Sequence, residues 1–321
     1  MEKAKQVVWR LLAASVCVMA ASQAVRADSL DEQRSRYAQI KQAWDNKQMD
    51  TVQALMPTLK EYPLYPYLEY RQITDDLMNQ PTVTVNNFIQ ANPTLPPARN
   101  LKSRFVNELA RREDWRGLLA FSPEKPGTTE AQCNYYYAKW ATGQQEEAWA
   151  GAKDLWLTGK SQPNACDSLF GAWRASGKQD PLAYLERIRL AMKAGNTRLV
   201  TALAGQMPPD YQTISTAVIA LANDPNSVLT FARTTGATDF TRQMAAVAFT
   251  SVARDDVENA RLMIPQLVQA QQLNDEQTQE LRDTVAWRLM GTDVTDEQAR
   301  WRDDAIMRSN STSLVERRVR M

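Results

Sequence analysis

From Asp28 onward the apolar residues recur at intervals of three and four, and turn-forming residues interrupt them about every fifteen positions. That is the period of amphipathic helices, and it leaves little of the chain for a sheet. Only Thr82-Val83-Thr84-Val85 alternates as a strand does, and no partner strand exists for it, so it is expected to be a loop leading into a helix. Helices of this size cannot bury an apolar face alone and must stack on their neighbours. The expected fold is therefore all-α: a superhelical stack of helix pairs, an α-solenoid of tetratricopeptide-like character without a fixed repeat length.

Start and stop signals support this reading along the chain. Tyr37 and Trp44 share a face that Asn46 ends, and Asp50 is placed to cap a helix bearing Val52, Leu55, Met56 and Leu59. Asp180-Pro181 is an N-cap followed by a helix-starting proline, and the stripe Leu182, Leu185, Ile188, Met192 stops at Gly195. Ile214, Val218 and Leu221 form another stripe, closed by Asn223-Asp224-Pro225, and Phe240, Met244, Val247 and Ala248 form the next. Asn274 with Gln277 opens a helix carrying Leu281, Val285 and Leu289, while Pro265 is expected to kink or split a helix over residues 257–271.

The most self-contained unit runs from Cys133 to Cys166. Thr129-Glu130-Ala131-Gln132 has the form of a capping box; Tyr136 and Trp140 follow on one face, and Gly143 supplies a left-handed stop. Trp149, Ala152 and Trp156 stripe a second helix, which Gly159 closes, and Gln144, Gln145, Glu146 and Lys153 face water. Cys133 and Cys166 are the only cysteines outside the first twenty residues, so in an oxidising compartment a single pairing exists and they are expected to be bridged. Two free, buried thiols are the alternative.

Residues 1–10 carry Lys3, Lys5 and Arg10, and the run that follows, 11–21, is apolar except for Ser15. That is the pattern of a signal peptide, with cleavage after Ala27 and a second possible cut after Ala24. The run is too short for a stable membrane anchor, and Val16 before Cys17 suits lipidation poorly. Export implies a periplasmic protein whose mature part, residues 28–321, is one α-superhelical domain. Removing Lys3, Lys5, Arg10, Arg26 and Glu2 leaves a net charge of about −2. No concentrated basic face remains to bind nucleic acid.

The chain has no histidine, which excludes Ser-His-Asp and Cys-His nucleophile systems and histidine-ligated zinc. Its eleven glycines form no phosphate-cradling loop, so neither cofactor nor metal is expected. The acid pairs Asp75-Asp76, Glu146-Glu147, Asp255-Asp256 and Asp303-Asp304 are adjacent residues, which point about 100° apart on a helix and do not face one substrate. They are read as solvated faces or helix-start charges, and Arg317, Arg318 and Arg320 as an exposed helix end. No catalytic residue is assigned. Tyr62-Pro63-Leu64-Tyr65-Pro66-Tyr67-Leu68-Glu69-Tyr70 is the most unusual local sequence: Pro66 can start a helix, and the rings suit either core packing or stacking on sugar faces.

That tyrosine-rich stretch through Ile73, together with Phe88-Ile89-Gln90-Ala91-Asn92-Pro93, Leu95-Pro96, Asp114-Trp115, and Leu155-Trp156 through Cys166 to Trp173, resembles the N-terminal region of enterobacterial soluble lytic murein transglycosylases. The resemblance extends over essentially the whole chain. It implies a periplasmic enzyme that cleaves the β-1,4 bond between N-acetylmuramic acid and N-acetylglucosamine in peptidoglycan to leave 1,6-anhydro ends, with glycan strands and other cell-wall proteins as partners. It also implies a Cys133–Cys166 bridge.

In that family the catalytic glutamate sits in a lysozyme-like domain, in a Glu-Ser signature followed by Gly-Leu-Met-Gln. Neither string occurs here. The expectation is a non-catalytic superhelical scaffold without the lysozyme-like domain, truncated at its C-terminus and inactive alone. The alternative is a periplasmic helical-repeat adaptor that binds a protein. Trp301, Ile306, Met307 and Leu314 are expected to form an exposed apolar edge.

Overall fold

The computed structural model describes residues 29–320. The leader, its cut after Ala27 and the mature start at Asp28 lie outside the described residues. Eighteen α-helices and no strand occur among the described residues, and the chain divides into two compact units, the first ending at Phe105 and the second starting at Val106.

The first unit holds α1 (Leu30–Asp45), α2 (Met49–Leu55), α3 (Tyr65–Asp75), α4 (Thr82–Ala91) and the first part of α5 (Pro96–Arg111). Ser29 caps α1 in a reciprocal box with Glu32. The chain buries Ile40, Trp44, Val52, Leu59, Tyr62 and Leu68 in one cluster, at about 1.5–3 kcal/mol for each large apolar side chain removed from water. Trp44 Nε1 donates to Asp75 Oδ2 at 2.7 Å, so the indole is buried with its polar atom satisfied.

The second unit continues with α6 (Trp115–Phe121), α7 (Thr129–Ala141), α8 (Gln145–Trp156), α9 (Ala165–Ala175), α10 (Pro181–Lys193) and α11 (Thr197–Ala204). It ends with α12 (Gln212–Asn223), α13 (Val228–Thr234), α14 (Asp239–Asp255), α15 (Val257–Gln271), α16 (Asp275–Leu289), α17 (Asp296–Met307) and α18 (Thr312–Val319). Neighbouring helices pack on one another: α7 on α8 and α9, α10 on α11, α11 on α12, α14 on α15, α15 on α16, and α16 on α17. One continuous core follows the stack from Cys133 through Trp156, Ile188, Val218 and Phe249 to Leu289. The helix-pair stack expected from the periodicity is what forms.

Five local expectations change. Thr82-Val83-Thr84-Val85 is helical, the first turn of α4, because Pro81 fixes an extended entry and Val85 and Phe88, three apart, are the buried pair. The cap of α7 is Thr128, one residue earlier than the capping-box reading, and Gln132 Nε2 donates to the Pro126 carbonyl at 2.8 Å instead of reaching back to the cap. Asp50 lies inside the first turn of α2 as a favourable dipole charge, with Gln48 at the cap.

Pro265 does not split α15. It lies on the exposed side of the helix, and buried Met263, Ile264 and Leu267 hold both flanks. The apolar edge near the end is largely closed as well: Ile306 and Leu314 are buried with Met290, and the Trp301 ring lies under the Arg282 guanidinium at 5.1 Å. Only Met307 of the four named residues stands clear, 87% exposed.

Candidate functional site

Cys133 on α7 and Cys166 on α9 are fully buried and bonded, with Cα atoms 4.9 Å apart. The bond ties together two helices separated by α8 in sequence. One turn beyond it, Tyr137 and Trp140 of α7 face the exposed side of α9 across an open trough of about 560 Å³, whose other lining includes Ser168, Gly171, Ala175 and Ser176. No lining residue carries a charge. The wall is part of a run of rings: Trp115 meets Tyr137 edge-on at 4.9 Å, Tyr137 meets Trp140 at 5.0 Å, and Trp140 meets Trp149 at 6.4 Å. Tyr137 and Trp140 are half-buried, anchored on one side and open on the other.

The acid pairs do not line this trough, and at least one member of each is partnered. Asp75 takes the Trp44 indole, Glu147 pairs with Lys139 at 2.6 Å, Asp256 caps α15, and Asp255 pairs with Arg254 at 2.8 Å. Asp303 accepts from Arg318 and Arg302, and Asp304 from Arg282 and Arg308. Hydrogen bonds from Arg318 first, then Arg302, hold the Asp303 carboxyl below the usual carboxylate range. The terminal arginines are also engaged, Arg317 over the Trp287 ring at 4.2 Å and Arg320 with Glu316 at 3.3 Å.

Of the tyrosine-rich stretch, Tyr62 is core and meets Tyr37 at 5.5 Å. Tyr65 and Pro66 are the first two residues of α3, and Tyr70 accepts from Arg104 at 2.8 Å. Within that stretch lies Glu69, which sequence reasoning passed over. Burial pushes its carboxyl upward, opposed only partly by Lys60. The second overlooked group is Arg187, a cation only 4% exposed, stacked 4.2 Å from the Trp156 ring. Neither carries a distinguishing signal in sequence, since Arg187 sits beside Glu186 and Arg189, and Glu69 two residues from Arg71.

Among the described residues no group of three or more His, Cys, Asp or Glu side chains could hold a metal, and no helix is long and apolar enough to cross a membrane. The arrangement offers a surface for binding: aromatic faces, small residues and hydroxyls beside a cross-linked helix pair.

No protein-family model matches the chain. It is 84% identical over all 321 residues to the soluble lytic murein transglycosylase of Escherichia coli (strain K12) and 80% identical to that of Salmonella typhimurium, in each case covering 50% of the relative. Among solved structures, the 70 kDa soluble lytic transglycosylase of Escherichia coli superposes with a TM-score of 0.87 at 86% identity, covering 91% of this chain and 47% of that one. A complex of the 70 kDa soluble lytic transglycosylase with bulgecin A gives a TM-score of 0.86 at 86% identity. An inactive mutant of the lytic transglycosylase Slt from Pseudomonas aeruginosa gives 0.70 at 26% identity, over 87% of this chain and 50% of that one. The chain is thus related along its whole length to the soluble lytic murein transglycosylases, and it spans about half the length of the curated relatives it matches.

Proposed function

We propose that this chain is the non-catalytic helical scaffold of a lytic transglycosylase, a periplasmic region that holds peptidoglycan glycan strands while cleavage of the N-acetylmuramic acid–N-acetylglucosamine bond to 1,6-anhydro ends is carried out elsewhere in the whole enzyme. The observation that carries the reading is 84% identity, over the whole of this chain and half of the relative, to a murein transglycosylase, in a sequence that contains neither Glu-Ser nor Gly-Leu-Met-Gln. The carboxylate chemistry agrees with it. Lysozyme-type cleavage needs a protonated acid poised in a cleft, and arginine hydrogen bonds draw Asp255, Glu258 and Asp303 each below the usual carboxylate range. Glu69 has the raised affinity for a proton, but it lies against Tyr65 on α3 and lines none of the described troughs.

Export fits the same reading. Lys3, Lys5 and Arg10 before an apolar run, with cleavage after Ala27, direct the chain to an oxidising compartment where Cys133 and Cys166 pair. The test is digestion of purified sacculi with the folded chain, followed by mass spectrometry of the soluble fraction. No 1,6-anhydro muropeptides are expected; their release above a mock-purified control would place an active acid in this chain and overturn the reading.

A further inference from the structure

We propose that the trough between α7 and α9 is a binding subsite for a β-1,4-linked N-acetylhexosamine chain, floored by Gly171 and walled by Tyr137 and Trp140. The inference rests on the scaffold reading and gives it a location.

Gly171 carries the argument. A glycine inside a helix costs more conformational entropy than alanine does, so it needs a reason. Two other helical glycines have one: a Cβ at Gly151 would sit 2.3 Å from the Tyr136 ring, and one at Gly117 would strike the capping Asp114 carboxylate at 2.1 Å. At Gly171 a Cβ meets nothing within 4 Å. Its backbone lies outside the left-handed region, and it falls in the interior of α9. Neither conformation nor packing calls for glycine there. What its missing side chain leaves is the open volume in front of Tyr137 and Trp140.

The chemistry of the lining selects the occupant. In a chain with 23% charged residues, the trough has none. A charged peptide or a nucleic acid backbone would find no counter-charge in it. A neutral sugar finds two aromatic side chains, whose electron-rich ring centres attract the partly positive C–H face of a pyranose, and the serines Ser168 and Ser176 in the same lining. A volume of about 560 Å³ falls in the range of small-ligand clefts and suits a short stretch of glycan. The Cys133–Cys166 bond, one turn from Tyr137, fixes the separation of the two helices and hence the width of the trough.

The test is calorimetric titration of the oxidised 321-residue chain with chitotetraose, a neutral N-acetylglucosamine oligomer without lactyl or peptide groups. Gly171→Phe brings a bulky ring into the trough from a position whose Cβ meets nothing within 4 Å, Ala175→Phe does so one turn further on, and Gly171→Ala leaves most of it open. Wild type and Gly171→Ala are expected to bind within about threefold of each other, and both phenylalanine variants at least about tenfold more weakly, with melting temperatures at or above the wild-type value. Equal binding by wild type and the phenylalanine variants overturns the proposal, as does the absence of saturable heat from wild type up to about 10 mM sugar. Sacculus binding separates the two readings: a chain that sediments with sacculi equally well with and without Gly171→Phe keeps the scaffold and loses the trough, whereas a wild-type chain that ignores sacculi contradicts both.

Discussion

Arg187 and Trp156 form a buried cation–ring pair in which the guanidinium lies 4.2 Å from the indole. Phe170 offers a second ring at 5.5 Å, and Arg187 Nε is buried without a hydrogen-bond partner. Burial pushes the guanidinium down to about 10, with Tyr184 and then Asp167 opposing the shift. A depression of that size from the ordinary 12.5 corresponds to about 3 kcal/mol against the charged, folded form.

Stacking on the rings returns about 1–2 kcal/mol, so desolvation wins. Arg187→Met, which keeps the volume and removes the charge, is expected to raise stability by about 1–2 kcal/mol in urea denaturation. Arg187→Ala, which leaves a cavity among Trp156, Phe170 and Tyr184, is expected to lower it by about 2 kcal/mol. The gain in Arg187→Met is expected to be nearly flat from pH 5 to pH 9 and to shrink as pH rises through about 10, where the folded wild-type group loses its charge.

The Cys133–Cys166 bond closes a loop with a sequence separation of 33. Its removal in a Cys133→Ala/Cys166→Ala double variant is expected to cost about 3–4 kcal/mol on the chain-entropy account, measured by urea denaturation of the oxidised wild type and the variant side by side. The same variant is expected to widen the trough and weaken chitotetraose binding more than it alters helix content by circular dichroism.

Two glycines separate space from constraint. A Cβ at Gly159 would lie 2.3 Å from the Leu190 carbonyl oxygen, so the approach of the α8–α9 loop to α10 requires a bare backbone. Gly159→Ala is expected to cost about 1–3 kcal/mol, whereas Gly171→Ala is expected to gain about 0.5–1 kcal/mol. Thermal melts of the two variants check the pair directly, and a loss in Gly171→Ala would mean that something already occupies that space.

Glu69 supplies the pH dependence. Its carboxyl is raised by burial, so its contribution to stability is fully present below the ordinary carboxylate range and is lost as pH rises through the raised folded value. Glu69→Gln is therefore expected to melt higher than wild type at pH 7 and at the same temperature as wild type near pH 3. Equal melting temperatures at pH 7 would show that the site is better hydrated than its packing indicates.

The sequence carried the parts of this fold that are local. Asp180-Pro181 and the Asn274–Gln277 box start α10 and α16 where the residues said they would, since a cap is a contact over two or three positions. Gly143 and Gly195 take the left-handed conformation that ends α7 and α10. Thr82-Val83-Thr84-Val85 misled because β-branched alternation and a helical Val85–Phe88 pair coexist in the same residues, and burial decided between them.

The trough was not legible. Tyr137 and Gly171 are brought together by helix stacking and a cross-link, and a glycine whose meaning is the emptiness beside it looks in sequence like any other helix interruption. Arg187 and Glu69 were hidden for a similar reason: burial of a charge is set by the neighbouring helix, and the helical period alone places a charge equally well in solvent.

Co-sedimentation with purified sacculi at moderate salt tests whether the proposed scaffold holds glycan. The oxidised chain is expected to partition into the pellet, to saturate with increasing protein and to be displaced by chitotetraose. A folded chain that remains in the supernatant at every sacculus concentration would contradict the scaffold reading.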